Sequence, residues 1–168
     1  RLCPKCGRCV PPSEATCPFH ETPVETLPEV LATIAGRYDL EKKIGAGGAG
    51  FVFRALDTGL GRKVAIKLIR PARFASETSR RSYRDEARLL AQFQHPAVVS
   101  LFDNGELPGG VVYLVLELLA GKDLETTLRG LGPAAPDQVS AFLGQVGDAL
   151  SRAHEKGLLH RDVKPANV

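Results

Sequence analysis

The sequence predicts an α+β fold, in which an antiparallel sheet with one prominent helix precedes a mainly helical part. Three observations predict it. Apolar–polar alternation recurs in short runs before residue 119. Helical spacing takes over at 76–94 and again at 138–156. Glycine-rich or Pro-Gly turns join neighbouring strands.

Tyr38–Ile44 and Phe51–Leu56 read as two strands around the turn Gly45-Ala46-Gly47-Gly48-Ala49-Gly50, and Arg62–Ile69 as a third. In the third, Val64, Ile66 and Leu68 alternate with Lys63, Ala65 and Lys67. Ser76–Gln94 is a helix, with Tyr83, Ala87, Leu90 and Ala91 on one stripe, and His95-Pro96 ends it. Arginines between Arg70 and Arg88 read as its solvated face. Val98–Asn104 and Val111–Leu118 read as a hairpin, Leu124–Arg129 as a short helix, and Gln138–Lys156 as a longer one. The longer helix has a buried stripe of Val139, Phe142, Leu143, Val146, Leu150 and Ala153, and Gly157 closes it.

Composition bounds the function. Of 168 residues, 43% are hydrophobic and 24% charged, a globular balance. A net charge of +3 is too mild to call for nucleic acid as a partner. No apolar run approaches the roughly 20 residues that span a bilayer, and no signal peptide is visible, so a cytoplasmic location is expected. All four cysteines lie before residue 28. That segment cannot build a core without a staple.

Three motifs carry chemistry. In Gly45-x-Gly47-x-x-Gly50-x-Val52, glycines permit close approach of backbone to phosphate oxygens and positive φ in a tight turn. A plain hairpin loop explains it equally well in isolation. The following strand excludes a Rossmann turn, and the absence of Gly-Lys-Ser/Thr excludes a Walker A loop. In Val64-Ala65-Ile66-Lys67, an ammonium within an apolar strand needs an anionic partner unless it lies on a solvent face. The third motif, His160-Arg161-Asp162-Val163-Lys164-Pro165-Ala166-Asn167, is the most specific. A carboxylate there can accept a hydroxyl proton, while an amide oxygen five positions on can coordinate a hard cation.

With these motifs in this order, residues 37–168 resemble the Hanks-type protein kinases, most closely the bacterial Ser/Thr branch. The resemblance implies a kinase N-lobe with hinge at 37–119 and the start of the C-lobe at 120–168. It implies ATP with Mg2+ or Mn2+ and transfer of the γ-phosphoryl group to protein Ser/Thr hydroxyls. Gly45, Ala46, Gly47, Gly48 and Gly50 would cover the phosphates, with Val52 and Ala65 against adenine. Lys67 would hold the α- and β-phosphates and pair with Glu86, since Glu77 comes too early. Leu116 would be the gatekeeper and Glu117–Leu119 the hinge. Asp162 would be the catalytic base, Lys164 a γ-phosphate contact and Asn167 a magnesium ligand. His160 would shape the loop, and Arg161 would meet a phosphate on the activation loop.

The chain ends one residue after Asn167, before any Asp-Phe-Gly segment. Little phosphotransferase activity is therefore expected of these 168 residues alone, and the apolar face of the 138–156 helix should be uncovered. A catalytically silent nucleotide-binding scaffold is the alternative of a different class. A decayed kinase remnant is disfavoured by the joint presence of Lys67, Glu86, Asp162 and Asn167.

At the N-terminus, Cys3-x2-Cys6 and Cys17-x2-His20 are separated by ten residues. The segment 1–27 resembles a short zinc ribbon, followed by a linker at 28–36. Three thiolates and an imidazole complete a tetrahedral Zn2+ site. Cys9 pairs with Cys6 in a second Cys-x2-Cys and could replace one ligand. A docking partner for this module is a further expectation.

Overall fold

The computed structural model describes residues 1–26, 32–47, 50–132 and 134–168, without the side chains of Glu86 and Leu131. Two site expectations, Gly48 and the Glu86 carboxylate, thus lie outside the described residues, as do positions 28–31 of the 28–36 linker. The chain divides into two units: residues 1–88 with 101–118, and residues 89–100 with 119–168.

The first unit is built on a six-stranded antiparallel sheet. Its strands are β1 (Thr33–Ile34), β2 (Tyr38–Gly47), β3 (Gly50–Asp57), β4 (Arg62–Ile69), β5 (Leu101–Leu107) and β6 (Val111–Glu117), in the order β1-β2-β3-β4-β6-β5. β1 was not anticipated, because two residues carry no periodicity; it forms by pairing Thr33 with Asp39 and Ile34 with Tyr38. β5 starts three residues later than expected and runs to the turn at Leu107, where Leu107 pairs with Val111.

Strand alternation sorts the side chains into two faces. Phe53 and Ala55 of β3, Val64, Ile66 and Leu68 of β4, and Val111, Tyr113 and Val115 of β6 form one buried cluster. Tyr38, Leu40 and Ile34 join it, and so does Leu2 from the N-terminal segment. The other face carries Val52, Ala65, Lys67, Leu114 and Leu116 in register.

Asp57, at the end of β3, is 1% exposed and is the buried charge of this unit among the described residues. Its carboxylate accepts from Arg37 Nε and Nη2 at 2.7 and 2.8 Å and from the N–H groups of Gly59 and Leu60. The Arg37 guanidinium foremost, then the turn amides, hold the carboxyl below the usual carboxylate range. A depressed value stabilises the fold above the unfolded pKa of about 4, and that stabilisation disappears as pH falls through the lowered native value. Asp57→Ala is expected to lower the melting temperature by several degrees at pH 7. The gap from the parent should close in melts taken towards pH 2.5.

Helix α1 (Glu77–Ala91) buries Ala87 and half-buries Tyr83 and Leu90, as its spacing predicts. Its arginines are not merely solvated. Arg80 and Arg84 both donate to Glu106 on β5, at 3.1 and 2.7 Å, and Arg84 also reaches Glu77. Glu77 is thereby occupied on the helix's own arginines.

In the second unit, α2 (Leu124–Leu131) begins at Asp123, whose carboxylate accepts the Thr126 N–H at 2.7 Å. α3 (Pro136–Glu155) begins with proline in its first turn, and Gly157 follows it at φ 74°. The expected buried stripe of α3 is a correction: only Ala149 is buried, and Val139 and Leu143 are 40% and 60% exposed. These side chains border an apolar groove of about 780 Å³, together with Leu128, Phe142 and Val163. The uncovered face matches the other expectation for this helix.

Candidate functional site

Two groups of predicted residues are brought together, one in each unit. On the sheet, Lys67 lies half-buried, with Val52 of β3 and Leu114 of β6 as its cross-strand partners. Two residues back, Ala65 is flanked by Leu116. Because directly opposed residues of antiparallel strands share a face, Val52, Ala65, Lys67 and Leu116 present one surface. It is apolar with a single ammonium. Glu117 closes β6, and Leu119 beyond it is exposed.

The glycine turn belongs to the same strands: β2 runs to Gly47 and β3 starts at Gly50. Gly50 has φ +145°, and a Cβ there would lie 1.9 Å from the Leu68 carbonyl oxygen. The fold itself requires that glycine. Among the described residues, an added Cβ at Gly47 would meet nothing within 4 Å, and at Gly45 only ordinary contact with Val52. Among the described residues, contacts within the fold do not account for these two glycines. Ala46 pairs with Phe51 across the turn.

In the second unit, the loop after α3 gathers Asp162, Lys164 and Asn167. Asp162 Oδ2 accepts from Lys164 Nζ at 2.9 Å and Asn167 Nδ2 at 3.0 Å. Asn167 Nδ2 also donates to the Asp162 carbonyl at 2.7 Å, a contact set by the 3₁₀ turn Pro165–Asn167. This leaves Asn167 Oδ1 as an acceptor for a cation. Lys164 first, then Asn167, hold the Asp162 carboxyl below its usual range, so it is ionised at neutral pH. His160 Nδ1 accepts the Asp162 N–H at 3.3 Å. Arg161 takes a left-handed φ of 59°, uncommon for a side chain of its size. This turn has no signature in composition.

The N-terminal segment brings together Cys3, Cys6, Cys17 and His20, whose ligand atoms all lie within 4.8 Å of one another. His20 Nδ1 is 3.6 Å from Cys17 Sγ and 4.0 Å from Cys3 Sγ. Tetrahedral zinc with bonds near 2.3 Å separates its sulfur ligands by about 3.8 Å, so the donor set and spacing fit that ion. Two similar turns build it. The Gly7 N–H donates to the Cys3 carbonyl, and the Glu21 N–H to the Cys17 carbonyl, with left-handed φ at both Gly7 and Glu21. Cys9 stands outside the cluster. It packs against the sheet core, and burial pushes its thiol up to about 11.

What the sequence did not signal is how this segment meets the sheet. The Cys9 N–H donates to the Glu41 carbonyl at 2.8 Å, and the Lys43 N–H donates to the Gly7 carbonyl at 2.6 Å. Leu2 sits in the sheet core at 3% exposure. An apolar residue beside the first cysteine was the one available hint.

Comparison with known proteins places most of the chain in a family. The protein kinase domain family matches residues 38–168. A probable serine/threonine-protein kinase of Corynebacterium efficiens is 41% identical over 138 residues, covering 80% of this chain and 21% of its own length. Serine/threonine-protein kinase PknA of Mycobacterium tuberculosis is 39% identical over 145 residues, covering 84% of this chain and 34% of its own. The chain thus spans between a fifth and about a third of these curated relatives. The crystal structure of the M. tuberculosis PknI kinase domain superposes with a TM-score of 0.74 at 32% identity, over 86% of this chain and 57% of that one. No helix among the described residues is long and apolar enough to cross a membrane. From Tyr38 onward, this chain belongs to the protein kinase family.

Proposed function

We propose that the protein is an ATP-dependent serine/threonine kinase, to which this chain contributes the nucleotide-binding sheet and the catalytic loop. Two observations, one in each unit, carry the reading: the shared face of Val52, Ala65, Lys67 and Leu116 on the sheet, and the loop where Asp162 accepts from both Lys164 and Asn167. Val52, Ala65 and Leu116 offer an apolar surface to adenine, Leu116 as gatekeeper and Glu117–Leu119 as the hinge. Lys67 offers its ammonium to the α- and β-phosphates, and Glu86, by its place in the sequence, is the carboxylate proposed to pair with it. Gly45, Ala46, Gly47, Gly48 and Gly50 cover the phosphates. Asn167 would hold Mg2+, which would supply charge neutralisation to the phosphates, and Lys164 would meet the γ-phosphate. Asp162 accepts the proton of the substrate Ser or Thr hydroxyl.

Lys67→Met tests the nucleotide half. Removing the ammonium should weaken MgATP binding by at least tenfold in calorimetric titration without changing the melting temperature. Equal affinity in the two proteins would overturn the role of Lys67.

The N-terminal segment we read as a zinc ribbon with ligands Cys3, Cys6, Cys17 and His20. The mutual spacing of those four atoms supports it, and so does the exclusion of Cys9 from the cluster. Thiolate ligation suits a reducing cytoplasm, and the cysteines are free of disulfides. Metal analysis should find one zinc per chain, lost in Cys17→Ser and retained in Cys9→Ser. Zinc retained by Cys17→Ser would refute this ligand set. Beyond its bonds to the sheet of its own chain, the ribbon is read as a docking module for a protein partner.

A further inference from the structure

Strand β2 has one edge bonded to β3, and its other edge is covered in two stages. β1 pairs with Tyr38 and Asp39. The ribbon then takes over: Cys9 bonds the Glu41 carbonyl, Arg8 lies opposite Lys42, and Lys43 bonds the Gly7 carbonyl. The ribbon is in effect a further piece of strand added to the sheet edge. Its fit is close, since a Cβ at Gly7 would lie 2.8 Å from the Lys43 carbonyl oxygen.

The place of this contact matters. The register of β2 against β3 shifts twice, between Leu40 and Lys42 and between Lys43 and Gly45. A bulged strand bends and twists locally, so the direction in which it leaves depends on what holds it. The ribbon holds Glu41 to Lys43, the stretch that contains the first irregularity and ends where the second begins. Gly45, where the phosphate-covering turn begins, is two residues on. The Lys43 ammonium also lies 5.9 Å over the ring of Phe51, on the far side of the same turn.

The ribbon has little of its own to keep it folded. Leu2 and Val10 are its buried apolar side chains besides the cysteines, and Leu2 is spent on the sheet. Such a segment orders when its metal is bound and loosens when it is removed. We propose that zinc occupancy of the ribbon controls nucleotide affinity, by fixing through Gly7 and Cys9 the β2 segment from which the glycine-rich turn departs. The regulation rests on the kinase reading of that turn. It makes the ribbon a sensor of zinc, or of thiol-modifying agents that displace zinc.

The test compares the full chain loaded with zinc against the same chain stripped by a zinc-selective chelator and dialysed. Two readouts are taken: amide hydrogen exchange by mass spectrometry, and the Kd for MgATP. Stripping should speed exchange at residues 7–10 and also at 41–47, and weaken MgATP at least fivefold. Added zinc should reverse both. Cys17→Ser, unable to reload, should remain in the weak state with or without zinc. Leu2→Ala should keep its zinc yet show a smaller dependence of Kd on metal, because the ribbon's apolar anchor is reduced. Faster exchange confined to residues 1–26, with Kd unchanged, would overturn the proposal and make the ribbon an independent bead. Zinc-dependent exchange at 41–47 without MgATP binding in either state would instead overturn the kinase reading. A chain that takes up no zinc would end the ribbon reading itself.

Discussion

Asp162→Asn is expected to lower phosphoryl transfer to a Ser or Thr hydroxyl by about 10²- to 10⁴-fold, the range that a positioned general base contributes. The effect is measured in a form of the protein that transfers phosphate. Asparagine keeps the shape of the side chain and its contact with Asn167. What it loses is the charge that Lys164 faces at 2.9 Å and the capacity to accept a proton. Lys164 and Asn167 keep that carboxyl ionised throughout the neutral range. The parent's rate should therefore decline only as pH falls through the lowered carboxyl value. Asp162 is exposed, so the melting temperature should be unchanged, and MgATP affinity should stay within about twofold. The signature is thus a fall in kcat with KM for ATP preserved, opposite to that of Lys67→Met. A variant that transfers phosphate at the parent rate would remove Asp162 from the catalytic role.

Much of this arrangement was legible in the sequence, for identifiable reasons. Lys67 stands out because charge is rare between Val64, Ile66 and Leu68, and alternation alone places it on the face opposite them. The Asp162–Asn167 contact spans five residues and is fixed by one local turn, so spacing predicts it. The helix bounds were right to within a few residues because caps such as Asp123 and Gly157 are written locally. What escaped depends on partners distant in sequence. Glu106 gives no sign that Arg80 and Arg84 will converge on it. Leu2 reads as a stray apolar residue until Phe53 and Tyr38 are folded around it. Periodicity marks the apolar stripe of α3 but not what covers it, so burial of Val139 and Leu143 does not follow from their spacing. The exposed face expected of a helix ahead of an incomplete helical part does appear.

Gly50 and Gly47 separate two reasons for a glycine, and their alanine variants should differ accordingly. At Gly50 the backbone has φ +145°, a region that residues with a Cβ rarely enter, and the added methyl would sit 1.9 Å from the Leu68 carbonyl oxygen. Neither atom has room to give, because Gly50 pairs with Ile69 on the adjoining strand and Leu68 is in the core. Backbone strain and the opening of the β3–β4 ladder together should cost about 3 kcal/mol or more. For a sheet unit of this size that is a fall of over 10 °C in melting temperature. Gly47→Ala meets no atom within 4 Å and should melt as the parent does. If the turn covers phosphate as proposed, its methyl would crowd that approach, so MgATP binding should weaken by about tenfold while stability is untouched. Thermal melts paired with nucleotide titration read both effects. Parent-like binding by Gly47→Ala would remove the turn from the nucleotide site, and a parent-like melt of Gly50→Ala would mean that the strands yield more readily than their register implies.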